Sequence, residues 1–370
     1  MKILQVVNAF YPAFAYGGPV RVAYELSRRL VQRGHDVTVF TTDTVNANTR
    51  QKAKYLEIDG VKVFYFRNIS NTLAWRRYFF PPTMIFQLKT QIKTFDIIHI
   101  HGTRYFSSIL VHHYAKKYGI PYVLQPHGSL PRTIEKQVLK KLYDWVWGYK
   151  ILKDASKVIA VSETEVGHCT KLGVSKDRIE IIPNGINLTE YTNLPERGSF
   201  RRKYSIRDEE KIVLYVGRLN KTKNIDLLIK AFADLSNELD NIRLVLVGPD
   251  DRYISELEKN IQSLKLNDKI LFTGFVSNDE KIAAYIDADI FVNPRADEIF
   301  GLVFLEANAC GTPVVCSKGC GIANIIDGKT GFAVHNTKNQ LQDAMFEILS
   351  NERLRRRFGE QGKRLSLIHI

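Results

Sequence analysis

The sequence predicts two Rossmann-like, doubly wound α/β domains facing one another across a crevice. Three observations predict it. The chain has 370 residues, beyond the roughly 250–300 at which a single hydrophobic core stops growing. Short β-rich runs alternate with stretches of helical spacing, the mark of parallel βαβ units. The alternation then restarts between Pro183 and about Lys211, which divides the chain into domains 1–185 and 186–364.

In the first half, Lys2–Asn8 reads as a buried first strand, and Val20–Arg33 has helical spacing. Strands are then expected at Val37–Thr41, Val61–Phe66, Asp96–His101, Tyr122–Gln125, Lys157–Val161 and Ile179–Ile182. In the second half the strands are Lys211–Val216, Ile242–Val247, Ile270–Thr273, Ile290–Asn293 and Pro313–Cys316. Helices at Asn224–Leu235, Ile254–Leu264, Asp279–Ala284 and Leu302–Cys310 lie between them. Ligands of doubly wound sheets bind beyond the carboxyl ends of the strands, so residues just after each strand are the ones to inspect.

Composition is that of an ordinary globular protein, with 45% hydrophobic and 25% charged residues, which excludes disordered and collagenous classes. No apolar run approaches the roughly 20 residues of a membrane span, and the start lacks the h-region and cleavage site of a signal peptide. A cytoplasmic protein is expected, at most peripheral on the inner face of a membrane. Cys169, Cys310, Cys316 and Cys320 form no zinc-ligand spacing and read as small buried residues. The net charge of +14 is lopsided: residues 1–190 hold 27 Lys+Arg against 14 Asp+Glu, the remainder 26 against 25. An anionic partner is therefore expected on the first half. No nucleic-acid module is visible, so nucleic acid is not expected to be that partner.

The strongest chemical signal is Glu298-Ile-Phe-Gly-Leu-Val-Phe-Leu-Glu306. Gly301 permits a tight turn into a helix, placing the amides of Phe300, Gly301 and Leu302 at a helix N-terminus, a ready anion site. Glu298 falls in the loop before that helix. Glu306, about one turn in, can accept two hydrogen bonds from a vicinal diol such as ribose. In Tyr215-Val-Gly-Arg-Leu-Asn-Lys-Thr-Lys-Asn224, Arg218 and Lys223 follow a strand end beside a helix start, a setting that suits a diphosphate. Gly17 and Gly18 follow the first strand and let backbone approach a phosphate closely. His127 lies just past a strand end. His99 and His101 alternate along one strand and are expected on opposite faces, with His101 nearer the crevice and the acceptor. Asp287-Ala-Asp289 matches a metal–diphosphate pattern but precedes its strand at the entering end, so capping is expected there and no metal.

Together these motifs resemble the family 4 retaining glycosyltransferases of the GT-B fold. The resemblance runs from the first strand to about Arg364 and rests on Gly17-Gly-Pro19, His99-Ile-His101-Gly, Pro126-His-Gly128, Val161-Ser-Glu163, Ile182-Pro-Asn-Gly-Ile186, Val216-Gly-Arg-Leu219 with Lys223, Val247-Gly248, Phe272-Thr-Gly-Phe275 and the paired glutamates. It implies that Arg218 and Lys223 bind the donor diphosphate in place of a metal or other cofactor, and that Glu306 holds the ribose. Glu298 and the amides of Phe300 to Leu302 would orient the sugar and β-phosphate. The backbone at Phe275 and Val276 would meet the base, Gly18 would cover the phosphates, and His127 would touch the donor sugar. The implied reaction moves a sugar, with retained configuration, from a nucleotide-diphosphate sugar to a hydroxyl of a glycan or polyprenyl-linked acceptor in surface-polysaccharide or glycoconjugate biosynthesis. Front-face displacement is favoured, since no carboxylate stands at a nucleophile position.

Two other functions fit the same motifs: a sugar-nucleotide epimerase of this fold, and a non-catalytic sugar-nucleotide-binding protein. The chain departs from the family at its end. The last six residues, Leu365–Ile370, translate CTG TCT CTT ATA CAC ATC, part of a sequencing-transposase adapter, so a truncated gene with a non-biological tail is expected. In the first half, Trp75–Phe80 and Lys136–Lys153 mix cations with aromatics. Leu139, Leu142, Val146 and Tyr149 follow helical spacing and leave one face for burial, while Lys136, Lys140, Lys141, Lys150 and Lys153 suit an anionic membrane surface.

Overall fold

The computed structural model describes residues 1–131 and 137–366. Lys136 and residues 367–370 of the tail lie outside the described residues. The chain separates into two compact units, Met1–Pro183 and Asn184–Ile370.

In the first unit the strands are β1 (Lys2–Val6), β2 (Asp36–Thr42), β3 (Tyr55–Ile58), β4 (Val61–Phe66), β5 (Ile97–His101), β6 (Tyr122–Gln125), β7 (Lys157–Ala160) and β8 (Ile179–Ile181). Its helices are α1 (Gly18–Gln32), α2 (Asn71–Trp75), α3 (Met84–Gln91), α4 (Phe106–Tyr118), α5 (Gln137–Tyr143), α6 (Tyr149–Asp154) and α7 (Glu163–Lys171). The sheet order is β3-β4-β2-β1-β5-β6-β7-β8, parallel except for β3, which folds back antiparallel on β4. The chain winds outward from β1 through β2, then returns to β5 on the other side. That reversal is a topological switch point, where ligands bind in such sheets.

The second unit holds β9 (Lys211–Val216), β10 (Ile242–Val247), β11 (Ile270–Gly274), β12 (Ile290–Asn293), β13 (Val314–Ser317) and β14 (Gly331–Val334). Between and around them run α8 (Ser199–Lys203), α9 (Ile225–Glu238), α10 (Ile254–Ser263), α11 (Asn278–Asp287), α12 (Leu302–Cys310), α13 (Ala323–Ile326), α14 (Lys338–Ser350) and α15 (Glu352–Ser366). The order β11-β10-β9-β12-β13-β14 is all parallel and switches between β9 and β12. Both faces of the sheet are covered, so its strands are almost wholly apolar: Val213, Tyr215, Leu244, Leu246 and Val292 pack on Leu228, Phe232 and Met345. All four cysteines are buried thiols. Among the described residues no helix is long and apolar enough to cross a membrane.

Of the helical-spaced positions Leu139, Leu142, Val146 and Tyr149, which leave one face for burial, only Val146 is half-buried and the other three are exposed. A π-helical turn, Asp144–Gly148, joins α5 to α6 and rotates the register away from a 3.6-residue repeat. The face turned inward carries Asp144, Gly148, Ile151 and Leu152. Val138, Leu139, Leu142, Trp145 and Tyr149 are all exposed. Asp144 is held by Arg104, whose guanidinium meets both carboxylate oxygens at 2.8 Å.

Candidate active site

In the second unit, the loops that leave β9 and β12 meet at the switch point. β9 ends at Val216 and the chain turns through Gly217 to Arg218, whose carbonyl accepts from the Tyr215 hydroxyl at 3.1 Å. The turn needs glycines here. A Cβ on Gly248, at the neighbouring strand end, would lie 1.9 Å from the Gly217 carbonyl oxygen. Asn220 caps a short 3-10 turn that carries Lys223, and Asn224, in the left-handed region, starts α9.

The loop after β12 supplies the opposing charges. Lys223 Nζ lies 3.1 Å from Glu298 Oε2, and Arg295 Nη1 lies 3.3 Å from the same oxygen. Arg295 Nε also meets Asp297 Oδ1 at 3.1 Å. Burial alone would raise the Glu298 carboxyl, but Lys223 and Arg295 outweigh it and hold it below the usual range. For Lys223 burial prevails over the attraction of Glu298, and its ammonium is depressed from the ordinary lysine value. Arg218 Nη2 pairs at 2.8 Å with Asp251 Oδ2, an oxygen that also accepts from Asn220 Nδ2 at 3.1 Å.

Gly301 caps α12 at φ +72°, and a Cβ there would strike the Phe304 ring at 2.7 Å, so the turn before the helix requires glycine. The carbonyl of Glu298 accepts from the Gly321 amide at 2.8 Å, which pins the loop. Glu306 is buried inside α12, where Lys281 Nζ meets its Oε1 at 2.8 Å and the Tyr285 hydroxyl donates to its Oε2 at 3.2 Å. Phe275 is exposed after β11, and Val276 next to it is half-buried. The structure therefore gathers Arg218, Lys223, Glu298 and the start of α12 at one switch point, and keeps Glu306 deeper in the same helix.

Asp287 and Asp289 serve the fold. Asp287 is fully buried and accepts from the amides of Gly198 at 2.5 Å, Phe200 at 2.9 Å and Arg201 at 3.0 Å. Asp289 accepts from the Ile212 amide at 2.8 Å and is flanked by Arg201 and Arg355. A polar cavity of about 480 Å³ opens beside Asp289, Arg201, Arg355 and Lys211, at the entering ends of the strands, opposite the ligand end. No group of three or more metal-ligating side chains exists among the described residues.

In the first unit, Gly17 is the N-cap of α1 at φ +97° and Gly18 is its first residue, two residues earlier than the spacing predicts because Pro19 is well tolerated at a helix start. The expectation that His99 and His101 point to opposite faces is overturned. Strand side chains repeat every two residues, so positions 99 and 101 share a face, and their rings stack at 4.1 Å. His101 Nδ1 lies 2.9 Å from His127 Nε2, and His101 Nε2 lies 2.6 Å from Gln5 Oε1. Burial, with His99 adding repulsion, pushes His127 down to about 3, and burial pushes His99 down to about 4. Both imidazoles are neutral at physiological pH.

His127 sits at φ +52° in a loop braced on every side. Glu165 Oε1 accepts from the Gly128 amide at 2.6 Å and its Oε2 from the Val161 amide at 2.9 Å. Thr103 Oγ1 lies 2.9 Å from Ser129 Oγ, and Arg104 donates to the carbonyls of Ser129 and Leu130. Reading the sequence missed Gln5, Glu165, Asp251 and Arg295 as parts of these sites. Only Glu165 carried a local signal: Ser162-x-x-Glu165 is a capping-box pattern, and Ser162 does cap α7.

Two doubly wound units, each with polar side chains converging at its own switch point, define a protein of the GT-B class. The Glycosyltransferase Family 4 model matches residues 16–190, and the Glycosyl transferases group 1 model matches residues 196–365. An uncharacterized glycosyltransferase of Methanocaldococcus jannaschii is 33% identical over 347 residues, covering 88% of this chain and 83% of that one. Alpha-monoglucosyldiacylglycerol synthase of Streptococcus pneumoniae is 28% identical over 365 residues, covering 94% and 78%. Among solved structures, Anabaena HepE in complex with UDP and glucose matches with a TM-score of 0.81 at 19% identity, covering 100% of this chain and 95% of that one. Sucrose-phosphate synthase from Thermosynechococcus elongatus matches at 0.80 and 23%, covering 100% and 94%. The chain belongs to the GT-B glycosyltransferases built from the family 4 and group 1 domains, and it is a sugar-transferring enzyme.

Proposed function

We propose that this glycosyltransferase moves a sugar, with retention of configuration, from a nucleotide-diphosphate sugar to a hydroxyl of a glycan or lipid-linked acceptor. The observation that carries the donor reading is the meeting of Lys223, Arg295 and Glu298 just before α12, with Arg218 paired to Asp251 on the loop that leaves β9. In this reading Arg218 and Lys223 exchange their carboxylate partners for the diphosphate, and the amides of Phe300, Gly301 and Leu302 add three donors. Arg295 keeps Glu298 ionised and in place when Lys223 turns to phosphate, and Glu298 is aimed at the sugar. Glu306 takes the ribose hydroxyls, the backbone at Phe275 and Val276 the base, and Gly17 and Gly18 the phosphates from the first unit. His127 contacts the donor sugar, with His101 behind it. The cations supply charge neutralisation without a metal. As the sugar leaves, a phosphate oxygen takes the acceptor proton while Arg218 and Lys223 stabilise the growing negative charge.

The acceptor reading rests on different observations. The charge excess lies in residues 1–190, and the exposed run Val138, Leu139, Leu142, Trp145 and Tyr149 stands among Lys140, Lys141, Lys150 and Lys153. Aromatic residues flanked by lysines suit an anionic membrane interface, where each cation contributes about 1 kcal/mol. A lipid-linked acceptor on the cytoplasmic leaflet fits this face, as does the name of the streptococcal diacylglycerol relative.

The test is a screen of UDP-, GDP-, ADP- and TDP-sugars for binding by calorimetry and for slow hydrolysis without acceptor. One nucleotide class is expected to bind, and binding should be lost in Lys223→Ala. Accumulation of an epimerised nucleotide sugar would refute transfer, and absence of binding by every nucleotide would refute the donor site.

A further inference from the structure

The buried imidazole chain in the first unit does more than fill space. Gln5 on β1 is the register partner of His99 on β5, and partners in a parallel ladder point to the same face. His101, two residues on, shares that face, which is how Gln5 reaches it across the switch point. Gln5 is fully buried and His101 nearly so. The amide nitrogen of Gln5 has no hydrogen-bond partner among the described residues, so its bond to His101 is the one that orients this amide.

A chain of neutral hydrogen bonds has a direction, because each imidazole has one donor and one acceptor nitrogen. Gln5 Oε1 can only accept, so His101 Nε2 must carry the proton. His101 Nδ1 is then the acceptor, and the proton in the 2.9 Å contact belongs to His127 Nε2. His127 Nδ1 is left with a lone pair.

We propose that Gln5 and His101 are positioning residues that fix the tautomer of His127, so that its Nδ1 is a hydrogen-bond acceptor for a donor-sugar hydroxyl. This rests on the assignment of His127 to the donor sugar. Glu165 and Arg104 hold the backbone of the same loop from α7 and α4's preceding turn, so the ring is fixed in place as well as in protonation. Rotating the Gln5 amide would reverse both hydrogen bonds and present an N–H from His127 instead. A single glutamine on the first strand thereby selects acceptor over donor at a position two residues of chemistry away.

The experiment is nitrogen-15 NMR of the full chain labelled at histidine. The wild type should show a pyridine-like Nδ1 and a pyrrole-like Nε2 for His127, assigned by loss of those signals in His127→Ala. In Gln5→Met the two shifts should converge as the tautomers mix. Hydrolysis of the donor sugar nucleotide should fall roughly two- to tenfold, from a half-occupied to a lost hydrogen bond, with affinity for the free nucleoside diphosphate unchanged. The opposite or an averaged tautomer in the wild type overturns the proposal even if Gln5→Met does not fold. Unaltered shifts in a folded Gln5→Met overturn it too. If the tautomer is as stated but His127→Ala hydrolyses the donor normally, the assignment of His127 to the sugar fails while the relay stands.

Discussion

Replacing Asp287 separates a structural carboxylate from a metal-binding one. The native side chain accepts three backbone N–H bonds, from Gly198, Phe200 and Arg201, and so ties the start of α8 to the end of α11. In Asp287→Asn one oxygen can still serve Phe200 and Arg201, but the amide group then faces the Gly198 N–H, donor against donor. A hydrogen bond to a charged group contributes about 1.5–3 kcal/mol. Loss of one such bond, weakening of the other two and one unmet buried donor together cost about 3–4 kcal/mol. For a unit of this size each kcal/mol lowers Tm by about 2–4 °C, so a fall of roughly 6–15 °C is expected. Differential scanning calorimetry measures it, and Asp287→Ala should be worse, because it leaves all three donors unmet. Below its lowered Tm the asparagine variant should keep its donor affinity, with and without EDTA. A variant as stable as the wild type that has lost a manganese-dependent activity would refute the reasoning.

Lys223→Ala and Arg218→Ala should each lower donor turnover by about 2–4 kcal/mol of transition-state stabilisation, roughly 30- to 1000-fold; near-normal rates in both would remove the diphosphate from this site. Because the folded His99 titrates near 4 and His127 near 3 while unfolded histidine titrates near 6.5, the unfolded state binds more protons between those values. Stability is therefore full above about pH 7 and falls as pH drops toward 4, by about 3 kcal/mol for His99. His99→Gln should flatten the urea midpoint against pH, and parallel curves for variant and wild type would contradict the assignment. Sedimentation with anionic liposomes should be salt-sensitive and should weaken in Trp145→Ser, with little binding to neutral vesicles; equal partitioning to both would count against the membrane face.

The second unit was legible because its sheet is covered on both faces. Strands such as Ile242–Val247 and Ile290–Asn293 are apolar but for Arg243 and Asn293, the turn glycines at 217 and 248 stand where strands hand over to loops, and Gly301 stands where a loop enters a helix. Arg218, Lys223 and Glu298 were legible for the same reason, since each follows a strand end. Their partners were not. Asp251 and Arg295 act through side-chain contacts across loops that no local spacing encodes. In the first unit Gln5 reads as one polar residue in an apolar strand, and only the pairing of β1 with β5 reveals what it faces. The lysine-rich helix was not legible because a π-helical turn has no signature in a 3.6-residue repeat, so Leu139, Leu142 and Tyr149, which line up with Val146 on paper, are turned outward.

The charges on the loops after β9 and β12 are paired in two groups, Arg218 with Asp251, and Lys223 and Arg295 with Glu298 and Asp297. Cations and carboxylates balanced in this way cast almost no far field. If the proposed donor site is right, it should work as an ion exchanger rather than a magnet, taking up an anion only when that anion satisfies the cations better than the resident carboxylates do. A single phosphate or sulfate is poorly equipped for that exchange, whereas a diphosphate can engage two cations and a helix start at once. Nucleotide association with this unit should then proceed at a rate nearly indifferent to ionic strength, in contrast to whatever meets the basic first half of the chain.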